Sequence, residues 1–150
     1  MSLKARIDAD LKTAQLSRDS FLVEVLRGVK SAILNEEISK GKRDEGLDDQ
    51  AIEQLLQKEV KKRDESAELF KKGGNEASSE KELKEKEVIQ KYLPEQLSET
   101  ELTELIEKAI AETGATSLKE MGQVIGKVRA EVGSKGDGSL IAKITKEKLT

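Results

Sequence analysis

The chain has 150 residues, a formal net charge of −3 and 38% charged side chains, with only two Phe and one Tyr as aromatics. It contains no Cys, His or Trp, which excludes disulfides, thiol nucleophiles, imidazole metal ligands and any Ser–His–Asp triad. That length suits one or two small domains whose core bulk must come from Leu, Ile and Val.

No apolar run approaches the roughly 18 residues that a membrane span requires, so no membrane association is expected. The first twelve residues, MSLKARIDADLK, are amphipathic and lack the apolar stretch of a secretory leader. Together with the missing cysteines, this gives a cytoplasmic location as the expectation.

Helical periodicity recurs along the chain, and no sustained alternating strand pattern interrupts it. Leu3, Ile7 and Leu11 form a first stripe, and a helix over about 18–38 carries Leu22, Val25, Leu26, Val29 and Ile33. Glycines in GKRDEG (41–46) break the pattern, and Asp48 is a suitable cap for a third helix with Ile52, Leu56, Val60, Ala67 and Phe70. Gly73-Gly74 ends that helix, Ser79 can cap a fourth, and Pro94 stops it. Beyond Pro94, Ser98 with Glu101 has the spacing of a capping box ahead of Leu102, Leu105, Ile106, Ala109 and Ile110. Gly114 is a natural C-terminal cap, and Ser117 with Glu120 repeats the box before Met121, Ile125, Val128 and Val132. Gly133 closes that helix, and Asp137 or Ser139 opens the last one. The expected architecture is therefore all-α: a four-helix, bundle-like N-terminal domain over 1–94 and a three-helix tail domain over 95–150.

Charge is unevenly spread. Residues 1–43 carry net +3, residues 44–117 carry −9, and residues 118–150 return to +3, with seven basic against four acidic side chains. The basic end contains Lys119, Lys127, Arg129, Lys135, Lys143, Lys146 and Lys148, and also Gly122 and Gly126 inside a helix. A helical Gly costs about 1 kcal/mol against Ala, so two of them imply close approach of another backbone, from a neighbouring helix or a nucleic acid. The GSKGDGS loop (133–139) feeds a helix N-terminus and presents backbone N–H groups that suit a phosphate. A plain helix–helix turn explains it equally well, and the Walker and dinucleotide patterns both fail. No aromatic lies beyond Tyr92, so any RNA contact here is to phosphate and shape rather than to stacked bases. In the N-terminal half, Arg63 and Glu37 each interrupt an apolar helix face and suggest an Arg–carboxylate pair closing one end of the bundle.

Four segments in order, VLRGVKSAILNEEI (25–38), LQKEVKKRDESAELF (56–70), YLPEQLSETEL (92–102) and MGQVIGKV…GSKGDGSLI (121–141), resemble YqeY-like proteins. These are stand-alone relatives of the C-terminal tail of the B subunit of glutamine-dependent aminoacyl-tRNA amidotransferase, an enzyme that forms carbon–nitrogen bonds with glutamine as nitrogen donor. The resemblance implies an all-α fold and a tail that holds tRNA. It covers nearly the whole chain, but the amidase and the kinase-like body have no counterpart here. On the tail pattern fall Gly122, Gly126, Lys127, Lys135, Asp137, Gly138 and Leu140; where relatives carry a basic residue and Ala before Asp-Gly, this chain has Lys135 and Gly136.

The resulting expectation is a non-catalytic protein that binds tRNA or accompanies a tRNA-dependent amidotransferase. Its RNA-binding candidates are Gly122, Gly126, Lys127, Arg129, Lys135, Gly136, Gly138 and Lys143. Expected partners are tRNA and amidotransferase or aminoacyl-tRNA synthesis proteins, with no DNA specificity, no cofactor and no metal. The alternative is a helical protein–protein adaptor with no RNA role, whose acidic middle steers a basic partner.

Overall fold

The computed structural model describes residues 1–150, and its helices begin where short polar side chains accept from the first turn. Ser2 accepts from the Ala5 N–H, Asp19 from Leu22, Asp48 from Ala51, Asn75 from Ser78, Ser98 from Glu101 and Asp137 from Ser139. Each such cap is worth about 1 kcal/mol against Ala. The helices are α1 (Leu3–Leu16), α2 (Ser20–Ser39), α3 (Asp49–Lys72), α4 (Glu76–Gln90), α5 (Glu99–Thr113), α6 (Met121–Val132) and α7 (Gly138–Leu149), with no strand. The all-α expectation holds, with four helices before Pro94 and three after it.

Two expected starts differ. Asn75, just after Gly74 at φ 79°, caps α4, so Ser79 lies one turn inside the helix. There it is buried and donates to the Ala67 carbonyl at 2.8 Å. Ser117 makes no capping bond, because the Glu120 carboxylate accepts instead from the Thr116 N–H at 3.2 Å. A short 3₁₀ turn, Leu118–Glu120, then leads into α6.

The chain divides into two compact units, Met1–Leu93 and Pro94–Thr150. The first packs Leu3, Ile7 and Leu11 of α1 against Val25, Leu26, Val29 and Ile33 of α2, with Ile52 and Leu56 of α3 and Ile89 of α4. The outer half of α3 and α4 continues as an antiparallel hairpin with a polar middle. Arg63 pairs there with Glu59 (3.2 Å) and Glu85 (3.3 Å), and Lys86 pairs with Asp64 at 2.7 Å. Burial is the main influence on Glu85, raising its pKa above the ordinary value. Tyr92, buried behind α4, donates its hydroxyl to Asp10 and carries the Arg6 guanidinium over its ring, tying the end of α4 to α1.

The expected Arg63–Glu37 pair does not form. Glu37 lies in the last turns of α2, where its neighbours are the start of α1 and the loop into α3; it accepts from Lys4 Nζ at 3.0 Å and from the Leu47 N–H at 3.0 Å. Arg63 sits mid-helix in α3 beside α4. Both residues face inward, at different heights. Phe70, expected in the apolar stripe, is 38% exposed near the end of α3.

In the second unit Leu102, Ile106 and Ala109 of α5 pack on Val124, Val128 and Val132 of α6 and on Ile141, Ile144 and Leu149 of α7. Gly114 ends α5 at φ 69°, a left-handed cap that glycine adopts at little cost.

Candidate nucleic-acid interface

Helix α6 buries Val124, Val128 and Val132, so the opposite face is set by 3.6-residue periodicity. That outer face carries Gly122, Gly126 and Gly133, all exposed. A Cβ built on Gly122 or Gly126 would meet nothing within 4 Å. No other helix of the second unit therefore approaches the pair, so packing within that unit does not explain these glycines. Their backbone is open to solvent. Ala at both positions should consequently stabilise the second unit by about 1 kcal/mol each, raising the midpoint of thermal unfolding by several degrees. A lower midpoint would mean that the face is covered.

The flanking cations are held apart. Lys127 and Arg129 point about 160° away from one another around the α6 axis at 100° per residue. Lys127 reaches back to α5 and pairs with Glu112 at 2.5 Å. The same hydrogen bond is the foremost cause that holds the Glu112 carboxyl below its ordinary pKa. Arg129 turns the other way, to the start of α7, where its Nη2 lies 3.4 Å from the place a Cβ on Gly138 would take. The bare stripe thus runs between a lysine engaged by α5 and an arginine laid over the first residue of α7.

The loop between α6 and α7 is braced from below. Its Gly133–Lys135 segment forms a 3₁₀ turn. The Leu97 N–H donates to the Lys135 carbonyl at 2.8 Å, and Gln96 Nε2 donates to the Ser134 carbonyl at 2.8 Å. Lys135 is exposed above this brace. At the N-terminus of α7 the Asp137 carboxylate already accepts from the Ser139 N–H at 2.9 Å. That position is favourable for an anion, and the protein fills it with its own carboxylate. The Gly-rich loop is therefore a capped helix–helix turn.

Gly136 leaves the candidate face. It is buried, and a Cβ there would lie 2.7 Å from Val132 Cγ2, 3.1 Å from Ile141 Cδ1 and 3.3 Å from Leu102 Cδ2. It serves packing, not solvent access. Lys143 is exposed on the outer face of α7, one turn from Ser139 and Lys146. Lys148 pairs with Glu107 at 2.8 Å. Arg129 and Gly138 meet at the α6–α7 junction, with Lys135 on the connecting turn, whereas Gly126 lies mid-helix and Gly122 lies in the first turn of α6, roughly 15 Å along the axis from its end. Lys127 and Lys143 stand to either side. The α5 carboxylates Glu107 and Glu112, part of the acidic 44–117 stretch, are the intramolecular competitors for two of the lysines. The acidic run in α5 facing a basic α6 and α7 was the available signal.

No group of three or more carboxylates gathers where a metal would be held, and no helix is long and apolar enough to cross a membrane. The surface offers charge, open backbone and hydrogen-bond donors.

The family model described as "Yqey-like protein" matches residues 4–149. Among curated proteins, "Altered inheritance of mitochondria protein 41, mitochondrial" of Pyrenophora tritici-repentis is 30% identical over 145 residues, covering 95% of this chain and 78% of that protein. The proteins of the same name from Lachancea thermotolerans and Kluyveromyces lactis are 35% and 33% identical over 89 and 88 residues. Those matches cover 59% of this chain and 46% of each relative, so this chain matches about half the length of those two proteins. The names correct the expectation of a cytoplasmic location, since the relatives are called mitochondrial. The absence of cysteine is compatible with many compartments, and an amphipathic stretch over residues 1–12 specifies none of them. Neither observation had the power to single out the cytoplasm.

Proposed function

Because the chain belongs to the YqeY-like protein family, we propose that its C-terminal three-helix unit is a non-catalytic binder of folded RNA, tRNA in the first instance, acting as an accessory to tRNA-dependent amidotransferase chemistry. The observation that carries this reading is the open backbone of Gly122 and Gly126 on the same side of α6 as Arg129, with Lys135 exposed on the turn that follows the helix. A side chain on either glycine would hold a ribose–phosphate backbone away from the helix, whereas glycine lets it lie against α6. Base stacking is not part of the reading, since no aromatic follows Tyr92. Catalysis is not part of it either: glutamine hydrolysis needs an activated nucleophile, normally Cys or a Ser/Lys arrangement, and the chain has no Cys and no Gly/Ser-rich, strand-containing amidase segment.

The test is tRNA affinity measured against salt. Each phosphate neutralised on a duplex contributes about 0.9 to the slope of log affinity on log salt. Arg129→Glu/Lys135→Glu should flatten that slope and weaken binding at physiological salt by about tenfold or more. Lys127→Glu should do less, because Glu112 already engages Lys127. A double variant that binds tRNA as tightly as the parent would falsify the assignment of this face.

A protein–protein adaptor without an RNA role is the second reading, supported by the net −9 of residues 44–117. Partners that stay bound after nuclease treatment would favour it, and partners lost on treatment would favour RNA.

A further inference from the structure

The N-terminal unit has a furrow on the outer side of α1 and α2 that the RNA reading does not use. Along α2 the positions Val23, Arg27, Lys30, Leu34 and Ile38 share one side, next to the face that packs on α1. Two hollows lie along it. One, of about 230 Å³, is lined by Ile7, Ile33 and Leu34, with Lys4, Lys30 and Glu37 around them. The other, toward the α1–α2 corner, is lined by Gln15, Val23 and Glu24, with Arg18 and Arg27. Between them Lys30 bridges to Asp8 at 2.7 Å. From Val23 to Ile38 the furrow runs about 22 Å at 1.5 Å per residue, the length of four helical turns. Leu34 and Ile38, one turn apart, are 43% and 54% exposed at its apolar end.

The charges along the furrow decide what fits it. Glu37 is neutralised by Lys4 and Glu24 pairs with Lys81, whereas Lys30 is matched by Asp8. Arg18 and Arg27 are left as the uncompensated charges of the second hollow. Arg18 is also the only non-glycine residue of the chain at positive φ, 59°, immediately after α1 ends. Glycine is the usual occupant of such a helix end, so the chain keeps an arginine there against local backbone preference.

We propose that this furrow docks an acidic amphipathic helix of a partner protein. The partner's apolar residues, at i and i+4 spacing, sit over the exposed Leu34 and Ile38, beside the hollow floored by the buried Ile7 and Ile33, and its carboxylates meet Arg18 and Arg27. Docking of an amphipathic helix into an apolar groove with complementary rim charge is a recurrent mode of recognition. The site is on the other unit from the proposed RNA face and does not depend on it.

The experiment uses the full chain labelled with 15N. The probes are a small panel of helical peptides of about four turns, with apolar residues at i, i+4 and i+7 in either chain direction, each made with Glu flanks and as a Lys-flanked twin. The expected result is that a Glu-flanked peptide binds, shifting the amides of Ile7, Arg18, Arg27, Ile33 and Leu34, while its Lys twin does not. Arg18→Glu/Arg27→Glu should weaken the acidic peptide by about tenfold and admit the basic one. Arg18→Gly gives a second, independent reading: it should raise the unfolding temperature, by relieving the positive φ, while weakening the peptide. Equal binding of both twins, binding of neither, or shifts outside the furrow would overturn the proposal. So would the same shifts produced by raising the concentration of the chain alone, which would make a second copy the occupant.

Discussion

Replacing Gly136 with Ala should destabilise the second unit by about 1–3 kcal/mol, the usual cost of forcing an extra methyl into a packed interior. The methyl would arrive 2.7 Å from Val132 Cγ2. Val132 is buried in the last turn of α6 and, being β-branched, has little freedom to rotate away. Ile141 and Leu102 close the remaining sides at 3.1 and 3.3 Å. The backbone at Gly136 is extended, φ −117° and ψ 135°, so the cost comes from packing and not from conformation. A double-mutant cycle isolates it: Val132→Ala removes the nearest methyl, so Val132→Ala/Gly136→Ala should lose clearly less than the sum of the single changes. Additive losses, or a Gly136→Ala variant as stable as the parent, would contradict the packing argument.

The same residue shows what sequence can and cannot convey. The sequence offers Gly122 and Gly126 as glycines inside a helix and Gly136 as part of a Gly-rich loop, all three as candidates for one face. Only packing separates them: the first two face open solvent, and the third fills a gap too small for a methyl. Glycine in a helix signals that something is unusual without telling which side is crowded. Local signals were legible where the chemistry is local. Asp48 and Ser98 cap the helices expected of them, and Gly114 adopts the left-handed cap. Ser79 and Ser117 failed because a cap depends on where the preceding turn releases the chain, which Gly74 decides for α4 and Glu120 for the start of α6.

Partner choice was the other gap. Periodicity gives the face of a helix on which a charge lies, but not its height along a neighbour. Arg63 and Glu37 were both placed correctly on inward faces and wrongly with each other. In the candidate interface the same limit hid the engagement of Lys127 by Glu112 and of Lys148 by Glu107. A count of lysines therefore overstated how much positive charge is free on that face, and Arg129 and Lys135 gain weight accordingly.

Glu37→Ala should be the most damaging loss of a charged side chain in the first unit, at about 2–4 kcal/mol. The carboxylate is 1% exposed and joins three elements. It accepts from Lys4 at the start of α1, belongs to the end of α2, and accepts from the Leu47 N–H in the loop that delivers Leu47 to the core and Asp48 to its capping position. Gly46, at φ 77°, passes so close that a Cβ there would lie 3.2 Å from Glu37 Oε2. Alanine would leave the Leu47 N–H without its acceptor inside the fold, a loss that water does not readily repair. Glu37→Gln separates shape from charge, because the amide oxygen still serves Leu47 while the Lys4 pairing is lost. The hydrogen bond from Lys4, foremost, holds the Glu37 carboxyl below its ordinary value of 4.5, with the Leu47 N–H adding to it and burial opposing. A depressed folded-state pKa means that this stabilisation is complete above 4.5 and is lost as pH falls through the lower, folded value. Urea unfolding of the parent and Glu37→Gln should therefore differ most near neutral pH and converge in acid. A gap between the two that stays constant from neutral pH down to pH about 3 would show that the ionised carboxylate is not what closes the α1–α2–α3 corner.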